Sequence, residues 1–270
     1  METASPTSSP YLLSNQKLLH LVRHAQGLHN LGAETNRDSL TQFIDAALSP
    51  LGWQQVRAQR ENVSASGMLQ GIEVVITSPL LRTLQTSVGV FGSEEQQEDH
   101  CGNKTSTLNH PPIIAAELCR ERMRKGRSRA TVGQCRSRFP QVDFSLIESE
   151  EDTLWEADER ETNEAVAARG IKFIKWVLGR KEREIAVVSH GVFLQETLIA
   201  LKNKCLPLMD TDPFTRFGNC EIRSVIIFNR SVEGLGSDSR KTNYYCGRIP
   251  NGLQLQDSAK DNVSVDQVIN

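Results

Sequence analysis

The sequence predicts an α/β fold: a mostly parallel central sheet flanked by helices on both faces. Three observations carry that expectation. Leu18–Val22, Ile72–Thr77 and Glu184–Ser189 are nearly continuous apolar runs, as expected of strands buried on both faces. Helical-period stretches follow the second and third runs, and a helix follows the first after a polar connection. Each run also ends in residues that packing does not ask for: Arg23-His24, Ser78 leading to Arg82, and Ser189-His190. In open α/β sheets, ligands sit just beyond the carboxyl ends of the strands.

The bulk properties narrow the function classes. A length of 270 residues accommodates one elaborated α/β domain. A net charge of -2 argues against a dedicated nucleic-acid binder. Six cysteines are scattered with no Cys-x-x-Cys spacing, which favours reduced thiols over a zinc site or a disulfide scaffold. No apolar run approaches the roughly 20 residues needed to span a bilayer, so no membrane partner is expected. The start, Met1-Glu2-Thr3-Ala4-Ser5-Pro6, lacks the basic and apolar regions of a secretory signal. A cytoplasmic location is expected, with the nucleus left open.

In order, residues 1–15 read as a flexible leader, 16–230 as a single domain, and 231–270 as an extended or disordered tail rich in Gly, Ser, Asn and Asp. The first strand ends at Arg23, and residues 24–48 form a long polar connection of the kind that often carries function. Ser49-Pro50 should start a helix through Trp53, Val56 and Val63, because serine caps and proline suits the first helical position. Ser78-Pro79 repeats the pattern ahead of a helix that spaces Leu80, Leu81, Leu84, Val88 and Phe91 toward a core. After a polar surface loop over 92–110, Pro111–Ala116 is a third strand candidate. Eight basic residues lie between Arg120 and Arg138, and an acidic stretch runs from Glu148 to Glu161. The two stretches are expected to neutralise each other across a solvated surface. The competing reading turns part of the basic run toward an anionic substrate. A helix over 161–179 carries a stripe of Ala167, Ile171, Ile174 and Leu178. Another helix follows His190-Gly191, and Arg223–Asn229 reads as a last strand.

Parallel strands joined by right-handed crossovers bring their carboxyl ends to one edge. Arg23, His24, Arg82 and His190 would therefore converge on one pocket. A neutral imidazole is a competent phosphoryl acceptor, and flanking guanidinium groups clamp phosphate oxygens and discourage its protonation. With these residues in view, the chain resembles the histidine phosphatase superfamily, and within it the plant phosphoglycerate mutase-like proteins, from about residue 17 to 230. Leu21-Val22-Arg23-His24 is similar to the family's Arg-His-Gly signature, and Thr77–Thr86 to its Ser-Ser-x-x-x-Arg-x-x-Gln-Thr segment.

The resemblance implies a three-layer sandwich and a metal-independent phosphomonoester hydrolase or phosphoryl transferase. Its substrate would be a small phosphorylated metabolite of carbohydrate metabolism. By the same resemblance His24 is phosphorylated in turnover, and Arg23, Arg82 and His190 complete the phosphate pocket. Asn30 closes the Arg-His-Gly-x-x-x-x-Asn pattern, and Asn30 and Gly191 are the expected substrate contacts. Two departures stand out: Ala25 replaces the usual glycine, and Glu117-Leu118-Cys119-Arg120-Glu121 has one residue more than the family's Leu-x-Glu acid segment. Glu121 is the favoured proton donor, with Glu117 in reserve. No cofactor is called for, because the cationic side chains would neutralise the transferring phosphoryl group. The alternatives are a mutase and a non-catalytic phospholigand-binding module. A metallohydrolase built on His24, His29 and His190 is disfavoured, because two arginines would repel a divalent cation. Walker A and Gly-x-Ser-x-Gly patterns are both absent.

Overall fold

A computed structural model describes residues 16–30, 45–93, 110–123, 129–153, 160–202, 215–230 and 243–248. The leader, most of the 92–110 loop, Arg124, Lys125 and Arg127, and all of the tail except 243–248 lie outside the described residues.

The strands are β1 (Gln16–Arg23), β2 (Val74–Thr77), β3 (Ile113–Ala115), β4 (Val142–Asp143), β5 (Glu184–Ser189), β6 (Ile222–Arg230) and β7 (Asn243–Arg248). They form one seven-stranded sheet in the order β4-β3-β2-β5-β1-β6-β7. The first five in that order are parallel, whereas β6 runs antiparallel to β1 and β7 antiparallel to β6. The helices are α1 (Pro50–Ala65), α2 (Met68–Gly71), α3 (Leu81–Phe91), α4 (Val132–Arg138), α5 (Asn163–Leu178) and α6 (Gly191–Lys202).

Strand alternation sends successive residues to opposite faces, and each face has its own core. Val22, Val75, Ala186 and Val188 pack with Val56 and Val63 of α1 and Leu84, Val90 and Phe91 of α3. Leu19, Leu21, Val74, Ile76, Ile185 and Val187 pack with Val166, Phe173 and Ile174 of α5 and Phe193, Leu194 and Leu198 of α6. The result is the expected three-layer α/β sandwich. Among the described residues, no helix is long and apolar enough to cross a membrane.

Two expected helix starts behave differently. Ser49 caps α1, its Oγ accepting from the Gly52 N–H at 3.0 Å, with Pro50 in the first turn. The equivalent Ser78-Pro79 does not cap. The next helix starts at Leu81 without a side-chain cap from its own flank. The Leu81 N–H instead donates to the Asp45 carboxylate at 2.7 Å. The α5 stripe is also rotated: Val166, Gly170, Phe173 and Val177 are buried beside Ile171 and Ile174, while Ala167 and Leu178 sit at its margin. Finally, β7 extends the sheet beyond residue 230, so Arg223–Asn229 belongs to a strand with a partner further along the chain.

Among the described residues the two charged runs meet in one side-chain ion pair, Arg120 with Asp152, and it lies inside the protein rather than across a solvated surface. Arg120 is 1% exposed and donates to both oxygens of Asp152 at 2.7 Å. Arg129, also buried, donates from Nε to Glu117 at 2.6 Å. Its remaining nitrogens reach the carbonyls of Ala130, Ser149, Glu150 and Glu151. Arg136 and Arg138 lie exposed on α4.

Candidate active site

Register places the expected site residues together. Arg23 pairs with Ser189 and Thr77 with Val188, so β1, β2 and β5 end at one level. The His24 N–H donates to the Ser189 carbonyl at 2.9 Å and the Ser78 N–H to the Val188 carbonyl at 3.0 Å, continuing the ladder one step. His24 and His190, next after their strands, then face each other with ring centroids 5.2 Å apart. Arg82, from the first turn of α3, reaches the same point: its Nη2 donates to His190 Nδ1 at 3.1 Å.

The hydrogen bonds assign the tautomers. His24 Nδ1 lies 2.7 Å from the Ala25 carbonyl, which only accepts, so Nδ1 carries the proton and Nε2 keeps the lone pair. At His190 the order is reversed. Nδ1 accepts from Arg82, so Nε2–H donates to Ser78 Oγ at 2.8 Å. This explains why Ser78 does not cap a helix: its hydroxyl is the partner of His190.

The guanidinium groups are buried but not saturated. Arg23 Nη1 donates to the Phe217 carbonyl at 2.7 Å, while Arg23 Nε and Arg82 Nε are buried without a partner among the described residues. Buried donors of this kind call for an acceptor. An anion bound between the two arginines would supply one. Gly191 opens α6 directly against Arg23: a Cβ there would lie 3.3 Å from Arg23 Nε, so glycine lets the guanidinium approach the helix start. Helix N-termini favour anions in their own right. Burial, then the Arg82 guanidinium, His29 and Arg23, hold the His24 imidazole well below its ordinary pKa of 6.5. The imidazole is therefore neutral at physiological pH.

The two candidate acids separate clearly. Glu117 is engaged by Arg120 Nη1 at 3.1 Å and Arg129 Nε at 2.6 Å. Glu121 is 8% exposed. It interacts electrostatically with both Arg82 and Arg23, so it sits on the pocket side. One of its oxygens accepts from the Arg122 N–H at 2.9 Å. Asn30 spends its side-chain oxygen on the Gly27 N–H at 3.0 Å, while its own N–H donates to the Gly27 carbonyl, closing the turn after His24.

Other residues support the site: Ser78, Gln85 and Thr86 lie in the Thr77–Thr86 segment, which the sequence marks without giving their partners. Ser78 and Asp45 act through hydrogen bonds across the fold, and Asp45 carries no sequence signal at all. His29 was weighed only as a metal ligand, yet its ring lies 5.6 Å from that of His24. Thr86 Oγ1 accepts from the Ala25 N–H at 3.1 Å, and Gln85 Oε1 accepts from the Leu48 N–H at 2.9 Å. These two residues anchor the connection from β1 to α1 on the helix that carries Arg82. Among the described residues, no group of three or more His, Cys, Asp or Glu side chains could hold a metal ion.

Comparisons with known proteins agree with this geometry. Residues 19–99 match the family model of the histidine phosphatase superfamily (branch 1). Phosphoglycerate mutase-like protein 1 of Arabidopsis thaliana is 47% identical over 92% of this chain and 93% of its own length. A second Arabidopsis thaliana phosphoglycerate mutase-like protein is 43% identical over 90% of this chain and 95% of its own. Among solved structures, the ecdysone phosphate phosphatase of Bombix mori, in complex with tungstate, aligns with a TM-score of 0.51. The alignment covers 83% of this chain and 96% of that one. At 15% identity this similarity concerns the fold alone.

Proposed function

Given that the chain belongs to the histidine phosphatase superfamily, with the plant phosphoglycerate mutase-like proteins as relatives, we propose that it hydrolyses a small phosphorylated metabolite through a phosphohistidine on His24. The observation that carries this reading is the bond from His24 Nδ1–H to the Ala25 carbonyl, which leaves Nε2 unprotonated among two arginines. In the first step Nε2 attacks phosphorus, a P–N bond forms, and the bond from phosphorus to the leaving oxygen breaks. Arg23, Arg82 and the start of α6 neutralise charge on the equatorial oxygens, which is the main electrostatic requirement of phosphoryl transfer. Glu121 gives its proton to the leaving oxygen. In the second step the Glu121 carboxylate takes a proton from water as water attacks phosphorus. The P–N bond breaks, and inorganic phosphate leaves with His24 regenerated.

A panel of phosphorylated sugars, nucleotides and glycerates, assayed for phosphate release beside His24→Ala, tests the reading. The expected result is release by the wild type and loss of that release in the variant. Rapid quenching at alkaline pH should also leave an acid-labile phosphoryl group on the peptide containing His24. An active His24→Ala enzyme would overturn the reading. Transfer between positions of a glycerate without phosphate release would instead identify a mutase.

A further inference from the structure

We propose that Arg169, on α5, is the positioning residue for the proton donor. The inference rests on reading Glu121 as that donor. One oxygen of the Glu121 carboxyl accepts from the backbone N–H of its own neighbour, Arg122, so the backbone here helps set the position of the acid. Arg169 holds that backbone directly at and before the acid, and through Glu161 beyond it. Its Nη1 donates to the carbonyls of Leu118 at 3.0 Å and Arg120 at 2.8 Å, and its Nη2 lies 3.4 Å from the carbonyl of Glu121. The same guanidinium holds the Glu161 carboxylate in a two-pronged pair, at 2.9 Å from Nε and 2.8 Å from Nη2. Glu161 in turn accepts from the Met123 N–H at 3.0 Å, and its own N–H donates to the Met123 carbonyl at 3.0 Å. Residues 118–123 are thereby gripped on either side of the acid.

The grip is rigid as well as extensive. The Arg169 guanidinium lies 5.0 Å above the Phe193 ring of α6, the helix that starts at His190-Gly191. One planar group thus joins the acid segment, α5 and the phosphate-binding helix. A lysine could supply the charge but not this fork of donors in one plane. The side chains of Arg120 and Arg129, although close by, are committed to Asp152 and Glu117.

The test compares Arg169→Met and Arg169→Lys with the wild type on p-nitrophenyl phosphate, whose phenolate leaves without help, and on an alkyl phosphate, whose alkoxide needs a proton. General acid catalysis is worth about 100- to 10,000-fold. A displaced acid should therefore cut kcat/KM, which reports the step that expels the leaving group, at least about tenfold more on the alkyl ester than on the aryl ester. Arg169→Lys should fall between Met and wild type. In a Glu121→Gln background, Arg169→Met should add little further selective loss, because the group it positions is already disabled. Equal losses on both esters, or fully additive losses, would overturn the proposal. Should Arg169→Met not fold, Glu161→Gln reads the same question: it weakens the pair while leaving Arg169 its carbonyls, and a smaller loss of the same selectivity is expected. Failure of the underlying reading looks different, because Glu121→Gln alone would then show no leaving-group selectivity.

Discussion

Whether His24 attacks through Nε2 depends on one hydrogen bond to its neighbour's carbonyl and on keeping the ring unprotonated. Burial and the cationic side chains hold its pKa well below 6.5, so the acid limb of kcat/KM should lie well below the ordinary histidine value. As pH falls through that lowered pKa the lone pair is lost and activity with it. Stability follows the same sign. Between the ordinary and the lowered pKa the unfolded chain binds the proton and the fold does not, so stability declines with falling pH in that window. A pH–rate profile beside a urea titration at each pH checks both. An acid limb at or above the ordinary histidine range would contradict the assignment. At this scale Arg23, His24, Arg82 and His190 were legible in the sequence, because each occupies a fixed place relative to a strand end. The engagement of Glu117, which leaves Glu121 as the proposed acid, was only half legible, since it turns on Arg129 reaching Glu117 from twelve residues away. The partnership of Ser78 with His190 was not legible, because a serine before a proline gives the same local signal whether it caps a helix or holds a histidine.

Among the elements, α5 and α6 are set unusually close. A Cβ at Gly170 would stand 2.1 Å from Thr197 Oγ1 and 3.1 Å from the Thr197 backbone. In an open helix Gly→Ala would stabilise by about 0.8–1 kcal/mol. Here the helices must part, which costs about 1–3 kcal/mol for an overpacked site. Gly170→Ala should therefore lower the urea midpoint with m unchanged, and a raised midpoint would show that the layer yields easily. The helices themselves were largely legible from their periodicity. The face α5 buries was read about one position off, because the true stripe includes Gly170, whose value lies in its lack of a side chain. Asp45 as the cap of α3 had no local signature, since its partner Leu81 lies thirty-six residues further along the chain.

At the scale of the molecule, the pocket holds two buried guanidinium groups with donors to spare, and an anion there should stabilise the whole fold. Inorganic phosphate at 100 times its Kd would add about 2.7 kcal/mol by mass action. The melting temperature should rise with phosphate in the wild type and scarcely move in Arg82→Met, whatever the physiological substrate. A wild-type melting temperature indifferent to phosphate would count against an anion site. The order of the sheet has a further consequence, for synthesis rather than chemistry. β1 lies between β5 and β6, and its pairings run Leu18 to Glu184 and Val22 to Ile222. β1 therefore leaves the ribosome long before either of its neighbours. At about 5–20 residues per second, Leu18–Val22 waits on the order of 10–30 s as an unpaired apolar segment. An apolar strand left unpaired for that interval is open to pairing with another copy of itself.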